Sequence, residues 1–552
     1  MCLPMAVGPE RGENAASGEG TRVPLIASRP EQRVTTWRRV WLPPLLVLLG
    51  LSVALFAAST WLDRLLAPGS LPSLWRVLIY PPNDAAIQTL STAGQTVAAV
   101  LAIAITVVAI VVELAANRYT PRITEMFIRD PITQAVMALF IVTTVLCLWV
   151  AWAYAEPTTG ASPIPHAGFA LVMLLLTICL IVLLPYFVFV FAFLEPERVI
   201  DRIRSQTLES VLSPGRRSIS ARQAGAIRNI EQLTDVALTS LENRDKTIAM
   251  AAVDALQGIA LDFQPARDFL TPDWFAVTGH LARDPDFVAM SEGLLASVSQ
   301  RQIWLELKVV KQFLTIFNEA LNGSRDVDSL IGIRARGIAA EALARRSLDL
   351  FDLMVRFFNS CLRAAINARD VRTAYYTVHQ YRMVAEHALT EGAPDRAVAI
   401  SKYLRFYGHV SYQEELPFLL ETVAYDLCTL DEQAFELGSP VAEEIFQIFL
   451  QADKEAEGSV QERSLRGVRK AQVRLATFFL VRGDRAHARA IQADMVGEAT
   501  EFLASIREEL KCEESPAYWE VTDREDNFSW LPPERRAQLD EFFAWFDPGA
   551  AG

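Results

Sequence analysis

The run TVAAVLAIAITVVAIVV, Thr96 to Val112, decides what kind of protein this is. It holds only aliphatic residues and two threonines, and a helix is the form in which such a segment satisfies its own backbone in lipid. Three further stretches share its character. No charged residue occurs between Arg39 and Asp63, Asp84 and Glu113, Asp130 and Glu156, or Glu156 and Glu195. A hydrocarbon core takes about 20 helical residues, so each gap is long enough to hold a span. The pattern predicts spans near 41–62, 95–115, 132–154 and 167–194. Four such gaps in the first 200 residues of 552, and none afterwards, exclude a soluble domain whose apolar residues are spread evenly.

Charge divides the chain at the same place. Residues 1–195 carry 11 Arg, no Lys and 11 acids, so the whole net charge of −13 lies downstream. An acidic domain of this kind is not a general nucleic-acid binder, and anionic headgroups repel it; it stays at the bilayer by tether. The arginines also orient the spans. Arg11, Arg22, Arg29, Arg33, Arg38 and Arg39 precede the first, and Arg118, Arg122 and Arg129 lie between the second and third. Arg198, Arg202, Arg204, Arg216 and Arg217 follow the fourth. The opposite loops hold only Arg64 and Arg76. The positive-inside rule predicts an inner (plasma) membrane, multi-pass protein with both termini cytoplasmic. Residues 1–36 read as a disordered leader and Arg38-Arg39 as the basic flank of an uncleaved anchor. The six cysteines show neither knuckle nor redox spacing, so no disulfide framework is expected.

Beyond residue 198 the period becomes that of amphipathic helices. Ile227, Ile230, Leu233, Ala237 and Leu241 share one face, as do Ile248, Ala252, Leu256 and Ile259. Further helices are expected at 299–321, 327–345, 347–368, 370–390, 394–408, 440–453, 460–482 and 485–510. Breaks such as Asn322-Gly323, Gly392-Ala393-Pro394, Gly438-Ser439-Pro440 and Gly483-Asp484 join them as antiparallel pairs. Ala471 to Ile491, with Gly483 at the turn, resembles a tetratricopeptide-type helix pair, and Met383 to Leu404 is a second candidate. Pairs recurring at about 35–45 residues suggest a solenoid. The expected architecture is all-α: a four-helix transmembrane bundle over 37–197, then a cytoplasmic helical-repeat, α-solenoid-like domain over 198–552. An irregular helical bundle is the alternative.

A family resemblance accompanies this reading. Leu90 to Ala93, Asn117-Arg118-Tyr119-Thr120-Pro121-Arg122 and Phe127 to Gln134 resemble a bacterial family of predicted four-span membrane proteins of unknown function. Ala237 to Ala249, with Asn243 and Asp245, and Asp254 to Leu256 look like a degenerate form of a second segment of that family, lacking its prolines. The resemblance covers roughly 90–262 and implies a shared membrane architecture, with no substrate or cofactor.

Candidate functional residues are few. Glu113 borders an apolar span and is followed by Asn117, Arg118 and Arg122; a carboxylate at that depth snorkels, pairs or faces water. These four form a candidate pore-mouth or interfacial charge cluster. Asn243 and Asp245 are a candidate helix cap or ion site. No phosphate loop, Rossmann glycine run or nucleophile elbow occurs, and His379 and His387 share a helix face without carboxylates at ligand spacing. The chain is therefore expected to be no enzyme and to take no cofactor. Its expected partners are the lipid bilayer, other proteins through the helical domain, and a second copy of itself, but no nucleic acid. The leading expectation is a protein-interaction scaffold or regulator at the membrane. The rival is an oligomeric channel or transporter, which needs assembly because four apolar helices cannot line an aqueous path alone.

Overall fold

The structure is a computed structural model that describes residues 83–118, 127–128, 130–155, 166–212, 218–454, 466–518, 524 and 527–546. Among these residues there is no strand. The expected leader at 1–36 and first span at 41–62 lie outside the described residues. The chain divides into two compact units, one comprising residues up to 104 with 134–189, the other 105–133 with 190–552.

Three described helices are long and apolar enough to cross a membrane: α1 (Asn83–Arg118), α2 (Pro131–Ala155) and α3 (His166–Phe193). Helix α1 starts directly after Pro81-Pro82, well before the apolar run, with Asp84 in its first turn where a negative charge suits the helix dipole. Its 36 residues extend about 54 Å, more than a hydrocarbon core requires. Helix α3 continues through Pro185 without a break. In the first unit Ala86, Leu90 and Ala93 of α1 pack with Cys147, Phe169 and Val172. Gly94 makes this approach possible, because a Cβ there would lie 3.2 Å from that of Cys147. Several threonine hydroxyls on these helices close on their own backbone. Thr92 donates to the Gln88 carbonyl at 2.9 Å, Thr143 to Leu139 at 2.7 Å and Thr177 to Met173 at 2.9 Å. Each thereby closes its polar group on its own helix. Large apolar side chains such as Ile103, Leu148, Trp149 and Trp152 face outward, as lipid contact requires.

The second unit continues with α4 (Pro196–Leu212), α5 (Ile219–Glu242), α6 (Lys246–Arg267), α7 (Glu292–Arg301), α8 (Trp304–Ala320), α9 (Arg325–Ala344) and α10 (Leu348–Asn367). Then follow α11 (Val371–Thr390), α12 (Pro394–Gln413), α13 (Pro417–Glu436), α14 (Ala442–Leu450), α15 (Arg466–Val481), α16 (Arg485–Asp494) and α17 (Thr500–Cys512). The expected helix at 485–510 is thus two, and α13 occupies a stretch for which the sequence predicts no helix.

The five helices α9 to α13 each contain 20 residues, and their turns obey one rule. Arg346, Arg369, Gly392, Glu415 and Gly438 all have positive φ and follow one another at steps of 23 residues. The next amide after each reaches back five residues: Ser347 to Ala342, Asp370 to Ala365, Ala393 to Ala388, Leu416 to Ser411 and Ser439 to Ala434, at 2.7–3.0 Å. This is the Schellman bond, which satisfies a carbonyl the helix end would leave orphaned and reverses the chain.

Alternate helices therefore line up. Helices α5, α8, α10, α12 and α14 pack successively into one layer, and α6, α9, α11, α13 and α15 into a second. Ion pairs and polar bonds stitch equivalent positions of adjacent pairs. Arg325 binds Asp370 45 residues on, Arg396 reaches Asp352 at a separation of 44, and the Gly467 amide donates to Glu421 at 46. Such neighbour-only packing is what defines a solenoid.

Two buried ionisable groups test this packing. Lys308 is 1% exposed, and its ammonium lies 2.9 Å from Asp284 and Glu231 and 2.7 Å from Asp286, so it pins the irregular segment before α7 to α5 and α8. Lys308→Met leaves these carboxylates without their cation and should cost about 3–5 kcal/mol in denaturant unfolding of the detergent-solubilised chain; an unchanged midpoint would contradict the pinning. Asp328 is 2% exposed with neither carboxylate oxygen hydrogen-bonded, and burial, reinforced by nearby Asp370, raises its pKa to about 8. The folded chain then keeps a proton the unfolded chain has lost between its ordinary 3.8 and about 8, so stability falls as pH rises through that window, by about 1 kcal/mol per unit. Asp328→Asn should remove this slope and melt above the wild type at pH 8, as read by Tm against pH.

Candidate functional site

The residues expected to carry function fall into separate places. Glu113 is exposed on α1, Asn117 and Arg118 lie in its last turn, and Arg122 is outside the described residues. Asn243 and Asp245 build a turn. The Asn243 amide nitrogen donates to the Thr239 carbonyl at 2.9 Å, Arg244 takes the positive φ, and Asp245 caps α6 by accepting from the Ile248 amide. Downstream of the charge cluster, Arg202 of α4 lies 4.0 Å over the Phe193 ring and 3.8 Å from Asp130, while Phe127 meets Phe193 edge-on at 5.4 Å. A guanidinium flanked by a ring and a carboxylate fixes α4 where it leaves α3.

A different constellation gathers on the open side of the second layer. Helix α11 buries Ala374, Val378, Tyr381, Ala385 and Ala388 against the core, which turns His379, Arg382, Met383, Glu386 and His387 to the other face at helical spacing. Beside this stripe is a cleft of about 500 Å³, lined by Gln257 of α6, Arg334 and Arg336 of α9, Met383, Glu386 and His387 of α11, and Gln433 of α13. Arg334 is matched by Asp254, at 2.6 and 3.1 Å. Arg336 donates to a soft partner, the thioether of Met383, at 2.9 Å.

Next to the cleft the charges interlock. Arg382 pairs with Glu386 on its own helix, lies 3.0 Å from Asp426 of α13, and meets His379 Nδ1 at 3.2 Å. Asp426 accepts at 2.8 Å from Arg524, a residue of the C-terminal tail whose other nitrogen donates to the Tyr375 carbonyl at 2.6 Å. The guanidinium lies 4.1 Å over the Tyr375 ring, and four residues on Phe528 stacks on Tyr425 with centroids 4.3 Å apart. Farther along, Arg535 forks onto Glu432 at 2.7 and 2.8 Å. The tail is therefore seated on the same layer that carries the cleft. Among the buried polar atoms without hydrogen bonds there are Asp426 Oδ2, Arg524 Nε, Arg382 Nε and the Tyr425 hydroxyl.

Burial, with the guanidinium groups of Arg524 and Arg382, lowers the His379 pKa to about 4, while burial raises that of Glu386 against the pull of Arg382. His379 thus stays neutral and can accept from Arg382. Neither Asp426 nor Arg524 is conspicuous in the sequence, since Asp426 sits in an unforeseen helix and Arg524 is distant from every partner. The stripe on α11 was the one readable signal. In an NMR titration His379 should protonate near pH 4, and Arg524→Ala should move the midpoint upward by removing a neighbouring positive charge; an unmoved midpoint would place Arg524 elsewhere.

Residues 37–264 match the family described as Predicted membrane protein (DUF2254), which bears out the resemblance read from residues 90–262. No curated protein and no solved structure matches the chain. Together with the three apolar helices, the family match gives a predicted membrane protein whose apolar spans are followed by a helical domain.

Proposed function

We propose that this chain is a membrane-anchored scaffold whose second helical layer receives an extended segment of another protein. The observation that carries this reading is the seating of the chain's own tail: a buried arginine and a stacked phenylalanine occupy that layer, beside a cleft with room for more. Stacked helix pairs offer long surfaces of this kind, and polar stripes along them supply register and selectivity. The arginine flanks support an inner-membrane placement with both termini cytoplasmic, so that the groove faces the cell interior. The membrane helices supply location, and the repeat domain supplies recognition.

Photo-crosslinking in intact cells tests the reading. A crosslinker replacing His387 in the full-length chain should yield discrete adducts, whereas one replacing the exposed Arg356 of the opposite layer should not. Equal yields from the two faces would remove the support for a directional scaffold.

A further inference from the structure

We infer that the pocket around Asp426 is an arginine-accepting subsite, held in this structure by Arg524, and that the partner it fits is an extended segment presenting an arginine and, four residues later, an aromatic ring. This rests on the scaffold reading and names the chemistry of its ligand. Three features define the subsite. Asp426 and the Tyr375 carbonyl receive the two guanidinium nitrogens at 2.8 and 2.6 Å, the Tyr375 ring forms one wall, and the Tyr425 ring offers the platform on which Phe528 lies. A planar fork between an anion, a carbonyl and an aromatic face selects arginine over lysine, because only the guanidinium donates in two fixed directions while stacking.

The occupant can leave without stranding a charge. Asp426 is also 3.0 Å from Arg382, so its carboxylate keeps a cation when Arg524 withdraws, and Arg524 passes into water where its own charge is stable. The present fit is also incomplete. Asp426 Oδ2 and Arg524 Nε lack hydrogen-bond partners although their side chains are 4% and 1% exposed. A segment from another protein that satisfies the open acceptor gains what the tail does not. The tail is thus a resident copy of the ligand, and binding in trans competes with it.

A fluorescent peptide spanning Val521 to Pro533 is the probe, and the full-length chain in detergent is the receptor. The wild type, already filled, should bind the peptide weakly. The double variant Arg524→Ala/Phe528→Ala should bind it about ten-fold more tightly. Replacing the peptide's own arginine with alanine, or Asp426 with Asn in the double variant, should abolish the gain. Binding no tighter than that of the wild type, by a double variant with an unchanged melting curve, would overturn the inference. Should the double variant fail to fold, hydrogen exchange on the wild type decides. Excess peptide should accelerate exchange at Asn527 and Trp530, whose amides bond to the Pro516 and Asn527 carbonyls; no acceleration would reject the subsite. Failure here alongside adducts at His387 disproves the arginine subsite alone, whereas failure of both removes the scaffold reading as well.

Discussion

A 20-residue helix is about 30 Å long and has one apolar stripe, too little to hold it folded by itself. The helical half of this chain meets that constraint by repetition. A turn with one left-handed residue and one backward hydrogen bond returns the chain every 23 residues, and each new helix buries its stripe against the helix before it and the helix two before. Everything else in the domain follows from this register. Polar side chains on α11 share a face with those of α9 and α13 because the alternate helices are parallel neighbours, and charges about 45 residues apart meet because two helices make one repeat. The groove is a product of the packing rule, since a layer that stacks only sideways must leave one broad side uncovered.

The membrane helices solve a different problem with the same economy of partners. Lipid gives no reward for burying leucine against leucine, so helices there rely on close backbone approach and on internal satisfaction of polar groups. Gly94 against Cys147 supplies the first, and the threonine hydroxyls folded back on their own carbonyls supply the second. The unfavourable ordering of these side chains is small, while an unbonded hydroxyl in hydrocarbon would be expensive.

The fold was legible wherever hydrophobic period and turn chemistry agreed. The apolar spans stand out by lack of charge, and helices such as 347–368 and 370–390 by spacing; the structure trims these two by a residue at one end or both. It was illegible where a turn broke the usual residue preference. The left-handed positions at 346, 369 and 415 are Arg, Arg and Glu, and a scan for glycine passes over them. Hence the 23-residue period went unseen, and α13, which begins at Leu416-Pro417 after Glu415, was not foreseen. Helix α1 ran longer than its apolar core because Gln88, Thr89, Thr92 and Gln95 disguise its first turns. Of the site, the stripe on α11 could be read locally, but a pocket joining residues 98 and 149 positions apart cannot be found by spacing.

The second layer also shows how an acidic domain balances its cations one by one. Along the stripe nearly every guanidinium has its carboxylate: Arg334 with Asp254, Arg382 with Glu386, Arg535 with Glu432. Asp426 has two, Arg382 from the wall and Arg524 from the tail, as Glu432 has Arg474 beside Arg535. A carboxylate that answers to two cations is never left bare, so the protein tolerates either one's departure, and the one that departs at least cost is the one on a tail. Arg382 cannot play that part, because it is fixed on α11 by Glu386 and His379 as well. The neutral state of His379 belongs to the same design: a second positive charge there would weaken the grip on any guanidinium, and burial between two arginines keeps it unprotonated. In the proposed subsite selectivity would then come from the geometry of the fork and the rings more than from net charge.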